Sequence, residues 1–378
     1  MSYLLSVVVP TKNRYQYLYY LVNLIKGFNT SEIELVIQDN SEDNSEFNTY
    51  IAHNNDPWIK YYYCSDKLTS IQNFDLAIGH ATGKFVTFIG DDDGVLRFIL
   101  DCVRWMDDNN IEALRGLKTY YFWPEVGRNG GLATVERTKK IVEYKNPITE
   151  LVKILKGGCD FLEDIPVLYT GIVKKSILDA IFNDYRTYFP GGASADIANG
   201  VALCFYVKRY CKINLPLVFT GTSRMTGGVQ NRATPLNFAE VSFISEKVGK
   251  NWEGTFPQYW IGSLVWPESA IKSLRCLGKE SFIPYLNYTR VIALYMRQTG
   301  FSLSTCANYV DNKNLLFNLY LSIILQRFII RVVNTLIRLF SKGRRGLGIY
   351  RYSHLNNIID AESLLVEKYN IDISLIKY

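Results

Sequence analysis

The chain of 378 residues is 48% hydrophobic and 21% charged, a globular composition that excludes a disordered protein and leaves room for one large domain plus an appendage. A net charge of +6 is too modest for a nucleic-acid binder to be read from composition, so no nucleic-acid partner is expected. Seven cysteines, at 64, 102, 159, 204, 211, 276 and 306, form no CxxC pair, which argues against a zinc site or a disulfide framework and for a reducing cytoplasm.

In chain order, residues 4–9 (LLSVVV) predict a strand, and with no basic leader before it secretion is not expected. Residues 13–28 carry apolar side chains at helical spacing, and residues 33–38 (IELVIQ) predict a second strand. A third strand at 58–63, a helix at 70–80 and a fourth strand at 84–90 (KFVTFIG) follow. Alternation at this spacing predicts an α/β fold, a parallel sheet with helices on both faces. The strands end in PTKNR, DNSEDNS and GDDDG, loops that a doubly wound sheet brings to one rim, where ligands bind. Residues 169–178 (YTGIVKKSIL) predict a strand entering a helix, and beyond about residue 240 the pattern is helical.

Asp91, Asp92 and Asp93 leave the fourth strand together, followed at once by Gly94. Three crowded carboxylates repel one another unless a divalent cation offsets them, and hard oxygen ligands suit magnesium or manganese, which also hold phosphates. An acidic turn capping the next helix is the alternative. The chain has neither GxGxxG nor a Walker lysine loop, so a metal is the natural holder of phosphate. Asp39 opens DNSEDNS, either to make a turn with its own backbone or to accept the N–H of a pyrimidine base such as uracil; both readings stay open.

SVVVPTKNR, VIQDNSEDNS, NFDLAIGHATG (73–83) and FVTFIGDDDG, in this order, resemble the family 2 glycosyltransferases of the GT-A fold, over residues 4–225. The resemblance implies a nucleotide-sugar-binding half at 1–115, an acceptor-binding half with the catalytic base at 116–235, and a mainly helical C-terminal region at 236–378. It implies inverting, Mn2+- or Mg2+-assisted transfer of a sugar from a UDP-sugar. Pro10, Thr11, Asn13 and Arg14 would line the nucleotide pocket, Asp39 would contact the base, and Lys67 and Asn73 would add donor contacts. Asp91 would face the ribose or sugar and share the metal, Asp92 would contact the donor sugar, and Asp93 would hold the metal. Where similar transferases carry an aromatic–histidine pair this chain has Tyr169 and Thr170, and its histidines are at 53, 80 and 354 only, so diphosphate oxygens, water or another acid would complete the metal sphere.

Inversion needs a base for the acceptor hydroxyl. Asp196, in GGASADIANGVAL (191–203), matches the family's acid at a helix start, although Ala195 stands where proline is often found; Asp184 and Asp160 are fallbacks. The competing reading is a plain helix start, Ser194 as N-cap and Asp196 in the first turn, a placement expected to lower the pKa of the acid. Residues 220–232 (TGTSRMTGGVQNR) are a surface connection or a lid hinged at Gly227 and Gly228, with Arg224 reaching the diphosphate. Tyr120, Tyr121, Phe122 and Trp123 are expected just after a fifth strand, with Trp123 the candidate for stacking on a sugar.

In residues 315–340 the positions Asn318, Ser322, Gln326, Arg327, Arg331, Asn334 and Arg338 draw a polar stripe on an apolar helix. Three arginines oppose a membrane span. From 327 to 351 there are seven basic residues and no acidic one, which suits an anionic membrane surface met by 315–351; a core helix or an oligomer seam fits the pattern equally. The sequence thus describes a peripheral transferase, hexosyl or N-acetylhexosaminyl, acting on a glycan or lipid-linked glycan of capsule or O-antigen type. A catalytically silent scaffold that binds nucleotide sugar or glycan, and a nucleotidyltransferase, are the alternatives.

Overall fold

The computed structural model describes residues 3–54, 56–127, 130–136, 142–162, 164–226, 234–340 and 349–369. Two apolar runs, β1 (Leu5–Thr11) and β2 (Ile33–Asp39), are buried along nearly their whole length because helices cover both faces of the sheet they start. Between them α1 (Tyr15–Lys26) turns Leu18, Leu21, Val22 and Ile25 inward. The next helix, α2 (Ser45–Asn54), buries only Phe47, so no apolar stripe announces it in the sequence. β3 (Ile59–Tyr63), α3 (Ser70–Gly79) and β4 (Phe85–Phe88) follow, and α3 starts on a reciprocal cap between Thr69 and Gln72.

The chain continues through β5 (Gly94–Val95), α4 (Ile99–Asp108), β6 (Ala113–Arg115), β7 (Thr119–Phe122), β8 (Leu132–Glu136) and β9 (Val142–Lys145). It then forms α5 (Pro147–Lys156), β10 (Gly171–Lys174), α6 (Lys175–Tyr185), α7 (Ala195–Tyr206), β11 (Tyr210–Ile213) and β12 (Val218–Thr222). The longer elements beyond are α8 (Gly262–Cys276), α9 (Tyr288–Thr299), α10 (Lys313–Phe340), β13 (Ile349–Tyr352) and α11 (Ile358–Tyr369).

The main sheet runs β3-β2-β1-β4-β10-β6-β11-β9. It is parallel from β3 to β4, as the alternation predicts, but β10 lies antiparallel to both β4 and β6, which corrects the expectation of a wholly parallel sheet. The reason lies in the path: after α5 the chain enters β10 from the end where β4 finishes and must run back. A smaller sheet, β13-β8-β7-β12-β5, stands over that end. Tyr120, Tyr121 and Phe122 lie within β7, not after a strand.

One face of the main sheet packs Val8, Val36 and Val86 against α3, α5, α7, α8 and α9, and the other packs Leu5, Val7 and Val9 against α1, α4 and α11. Past residue 240 the described chain is mainly helical, and its last helix returns to the N-terminal half. There the fully buried Glu362 takes both the side chain and the backbone N–H of Arg97.

Candidate active site at the end of β4

β4 delivers the three aspartates into the space beneath the small sheet, and all are buried, with exposures of 2% for Asp91, 4% for Asp92 and 0% for Asp93. Asp93 accepts the Gly90 N–H at 2.7 Å, the Gly221 N–H at 2.7 Å and the Tyr169 hydroxyl at 2.9 Å. Gly221 has to be glycine, since a Cβ there would lie 1.7 Å from the carbonyl oxygen of Asp92. Asp91 accepts the Thr11 hydroxyl at 2.7 Å. Asp92 accepts Ser223 at 2.7 Å and Thr226 at 2.6 Å, and its carbonyl takes the Trp123 indole N–H at 2.9 Å.

Arg14, from the loop after β1, reaches across the cluster, with Nε 3.2 Å from Asp91 and one terminal nitrogen 2.5 Å from Asp92. Burial works against its charge, yet the three acids together hold its pKa above the ordinary value. Burial raises the pKa of Asp91, which Arg14 opposes, and burial followed by the charge of Asp92 raises that of Asp93. A guanidinium therefore supplies part of the offset that the sequence assigned to a cation alone.

Among the described residues no three acid, histidine or cysteine side chains already converge as a metal site, although the donor chemistry of the acids suits a divalent ion. Three carboxylates share one guanidinium, an excess of anionic charge when all are ionised, and Asp91 Oδ1 is a buried oxygen with no hydrogen bond. A carboxylate offers about four acceptor sites, and Asp93 uses three, so a lone pair remains there too. Asp91 and Asp93 would hold the ion.

The first two loops are locked together beside this cluster. Thr11 pairs in register with Asp39, the Asn13 N–H donates to Ser41, and Asn13 sits at a φ of 57°, accepting the Glu42 N–H. Asp39 is fully buried and accepts Tyr15 at 2.6 Å, Tyr61 at 2.7 Å and the Ser41 N–H at 2.8 Å, so both of its oxygens are engaged within the protein. Lys67 is exposed on the loop that Asn40 pins through the carbonyls of Cys64 and Asp66. Pro10 is half-buried on β1, and Asn73 is buried on α3 with its side-chain oxygen unbonded.

Asp196 stands in the first turn of α7, half-buried, and its charge together with those of Asp93 and Asp92 acts on the Tyr169 hydroxyl group. Tyr169, hydrogen-bonded to Asp93, is thus close enough to the candidate base to feel its charge. Burial raises the pKa of Asp196 against the pull of Arg115 and Lys118, which corrects the expectation that its helix start would lower it. Ser194 is the N-cap residue, yet its side chain makes no capping bond.

Other expected residues are not brought together here. Arg224 is exposed and donates to the carbonyl of Glu125. Trp123 is 3% exposed and braces Asp92, so it offers no face to a sugar. Asp184 bonds Tyr206, and Asp160 lies 4.0 Å from Arg327. The hinge glycines Gly227 and Gly228 lie outside the described residues. Tyr169, Gly221, Ser223 and Thr226 were not among the residues expected to touch the acids. Tyr169 had a signal, as half of the place where a histidine pair was sought; Gly221 and its neighbours had none, because the pairing of β12 with β5, which follows directly on Asp93, and with β7 brings them over the acids.

A groove of about 640 Å³ runs past the start of α7. It is lined by Thr69 and Gln72 of α3, Gly192 before Asp196, the partly exposed ring of Phe243, and Glu268 and Lys272 of α8. Glu268 is 2% exposed, and burial pushes its pKa up to about 7 against the pull of Lys272.

Residues 6–153 match the model of glycosyl transferase family 2. Over 94 residues the chain is 33% identical to a GalNAc(5)-diNAcBac-PP-undecaprenol beta-1,3-glucosyltransferase of Campylobacter jejuni, a stretch covering 24% of this chain and 30% of that protein. Staphylococcus aureus TarS 1-349 in complex with UDP-GlcNAc is similar in structure at a TM-score of 0.47 and 16% identity, covering 84% of this chain and 79% of that one. A mannosyltransferase of Pyrobaculum calidifontis in complex with GDP-Man and Mn2+ gives 0.40 and 14%, covering 84% and 86%. Likeness at this level transfers no residue role.

Proposed function

We propose, from the match of residues 6–153 to glycosyl transferase family 2, that the chain acts as a transferase of that family and moves a sugar from a nucleotide sugar to a hydroxyl of a glycan, with inversion. The observation that supports this most is the meeting of three separate segments on one set of acids, with Tyr169 hydrogen-bonded to Asp93 and within reach of the charge of Asp196. Donor binding brings the diphosphate to Arg14, which exchanges its contacts with Asp91 and Asp92 for phosphate oxygens that a guanidinium can take bidentately. A divalent cation held by Asp91 and Asp93 would neutralise the leaving diphosphate. The acceptor oxygen attacks the anomeric carbon from the side opposite the diphosphate, the carbon–oxygen bond to phosphate breaks, and Asp196 takes the hydroxyl proton. The raised pKa of Asp196 suits that task better than a lowered one, since a stronger base gives the proton more reason to leave.

A UDP-sugar is the finer reading of the donor. It rests on Asp39 at the end of β2, where a carboxylate accepts the imide N–H of uracil once Tyr15 or Tyr61 releases it. The groove at Gly191–Ala193, just before Asp196, would receive the acceptor, with Glu268 and Lys272 among the residues that line it. A lipid-linked glycan of surface polysaccharide fits, in line with the name of the Campylobacter relative, and α10 would meet an anionic membrane surface where such an acceptor is presented.

The test is turnover with a panel of nucleotide sugars and glycan acceptors, following nucleoside diphosphate release with and without manganese. Asp196→Asn should lower turnover about 100- to 10,000-fold while donor affinity stays within a factor of two or so. Retained turnover in that variant would remove Asp196 from the base role.

A further inference from the structure

The middle of α10 carries large apolar side chains out into solvent: Leu325 is 58% exposed, Phe328 61%, Ile329 50% and Ile330 50%. Upstream, Leu316 and Ile323 are buried against the body of the protein, so the helix is anchored at its start and bare further on. By length and composition Lys313–Val333 would suffice to cross a membrane, but Arg327 and Arg331 fall within it.

Those two arginines stand where α10 packs along α9, close enough to Arg297 of α9 for their charges to bear on it. Arg297 is half-buried, and its Nε–H is fully buried with no acceptor. The carboxylate that acts on this group is that of Asp160, 4.0 Å from Arg327 and too far for a hydrogen bond. Three guanidiniums around one carboxylate leave two positive charges and a buried donor without a partner. A buried N–H left unmade costs stability unless something binds there. Phosphate matches guanidinium geometry and would supply both the charge and the acceptor.

We propose that the seam between α9 and α10, at Arg297, Arg327 and Arg331, binds the phosphate of an anionic membrane lipid while the bare apolar face of α10 enters the acyl boundary beside it. The placing follows from charge and depth together. A helix lying in a membrane interface keeps its cations at headgroup level and its apolar face below. Phe161, 58% exposed and next in sequence to Asp160, extends the same greasy surface. The inference rests on the reading of a peripheral transferase but is tested without turnover, so its failure leaves the donor site untouched.

The experiment is sedimentation of the full chain with vesicles of phosphatidylcholine alone and of phosphatidylcholine with phosphatidylglycerol. Binding is expected on the anionic vesicles only. Arg331→Gln, an exposed position that should not disturb folding, is expected to weaken it roughly fivefold, and Arg297→Gln at least as much. Lys313→Gln, which removes one charge from the same helix outside the cluster, should change it less. Phe328→Ser should weaken binding without changing its dependence on lipid charge. Equal loss in Lys313→Gln and Arg331→Gln would overturn the site in favour of diffuse attraction, and equal binding to neutral vesicles would overturn the role of phosphate. A thermal shift with inorganic phosphate, unaccompanied by vesicle binding, would overturn the lipid and leave a free phosphate as the ligand.

Discussion

Gly221 shows how a single missing carbon sets the site. Its backbone passes so close to Asp92 that a methyl group would overlap the carbonyl oxygen, and its N–H fixes one oxygen of Asp93. Gly221→Ala should therefore push β12 away from the acids, lowering stability by about 3 kcal/mol and weakening donor binding with it. Urea unfolding and calorimetric titration with UDP check the two losses, and an alanine variant that keeps both would contradict the packing. Glu34 makes a useful contrast. It is as buried as Asp93, but Ser6, Thr82 and the Gly83 N–H satisfy it, so it braces the sheet.

At the level of elements, α8 matters through Glu268. Lys272, Arg275 and Glu253 are the charged groups around it, and burial dominates them, leaving the folded pKa near 7 against an unfolded value near 4.5. A carboxyl raised on folding binds more protons in the native state, so its contribution to stability is lost as pH rises from about 4.5 to 7. Glu268→Gln should then unfold at a higher temperature than the parent at pH 8, with the gap shrinking towards pH 5, in thermal melts across that range. A gap that does not vary with pH would mean that the carboxyl is better solvated than its burial implies. The first four strands and the acids were legible in sequence because each depends on local patterning: an apolar run, then a polar stop. The partners of the acids were not, since Gly221, Ser223 and Thr226 meet them across 128, 131 and 134 residues. The direction of β10 was hidden for a related reason: GIVK reads as a strand, but only the route from α5 decides which way it runs. The helix start that carries Asp196 was legible, but the direction of its pKa shift was misjudged because a helix start is visible in sequence whereas the surrounding protein is not.

Across the whole molecule, the fold closes on itself. α11 packs beside α1, and Glu362 grips Arg97 through two side-chain bonds of 2.8 Å and one backbone bond of 3.1 Å. Glu362→Ala should cost about 2 kcal/mol, read as a lower midpoint in urea, because the acid is fully buried while Arg97 is half in water and recovers part of its hydration. Arg97 stands four positions after Asp93, at the turn into α4. A growing chain on the ribosome therefore has the acids long before it has the clasp that steadies the segment after them, and native contacts that distant close late. Products that lack residues 349–369 should therefore accumulate as loosely organised species in which the segment after the acids is unsteadied.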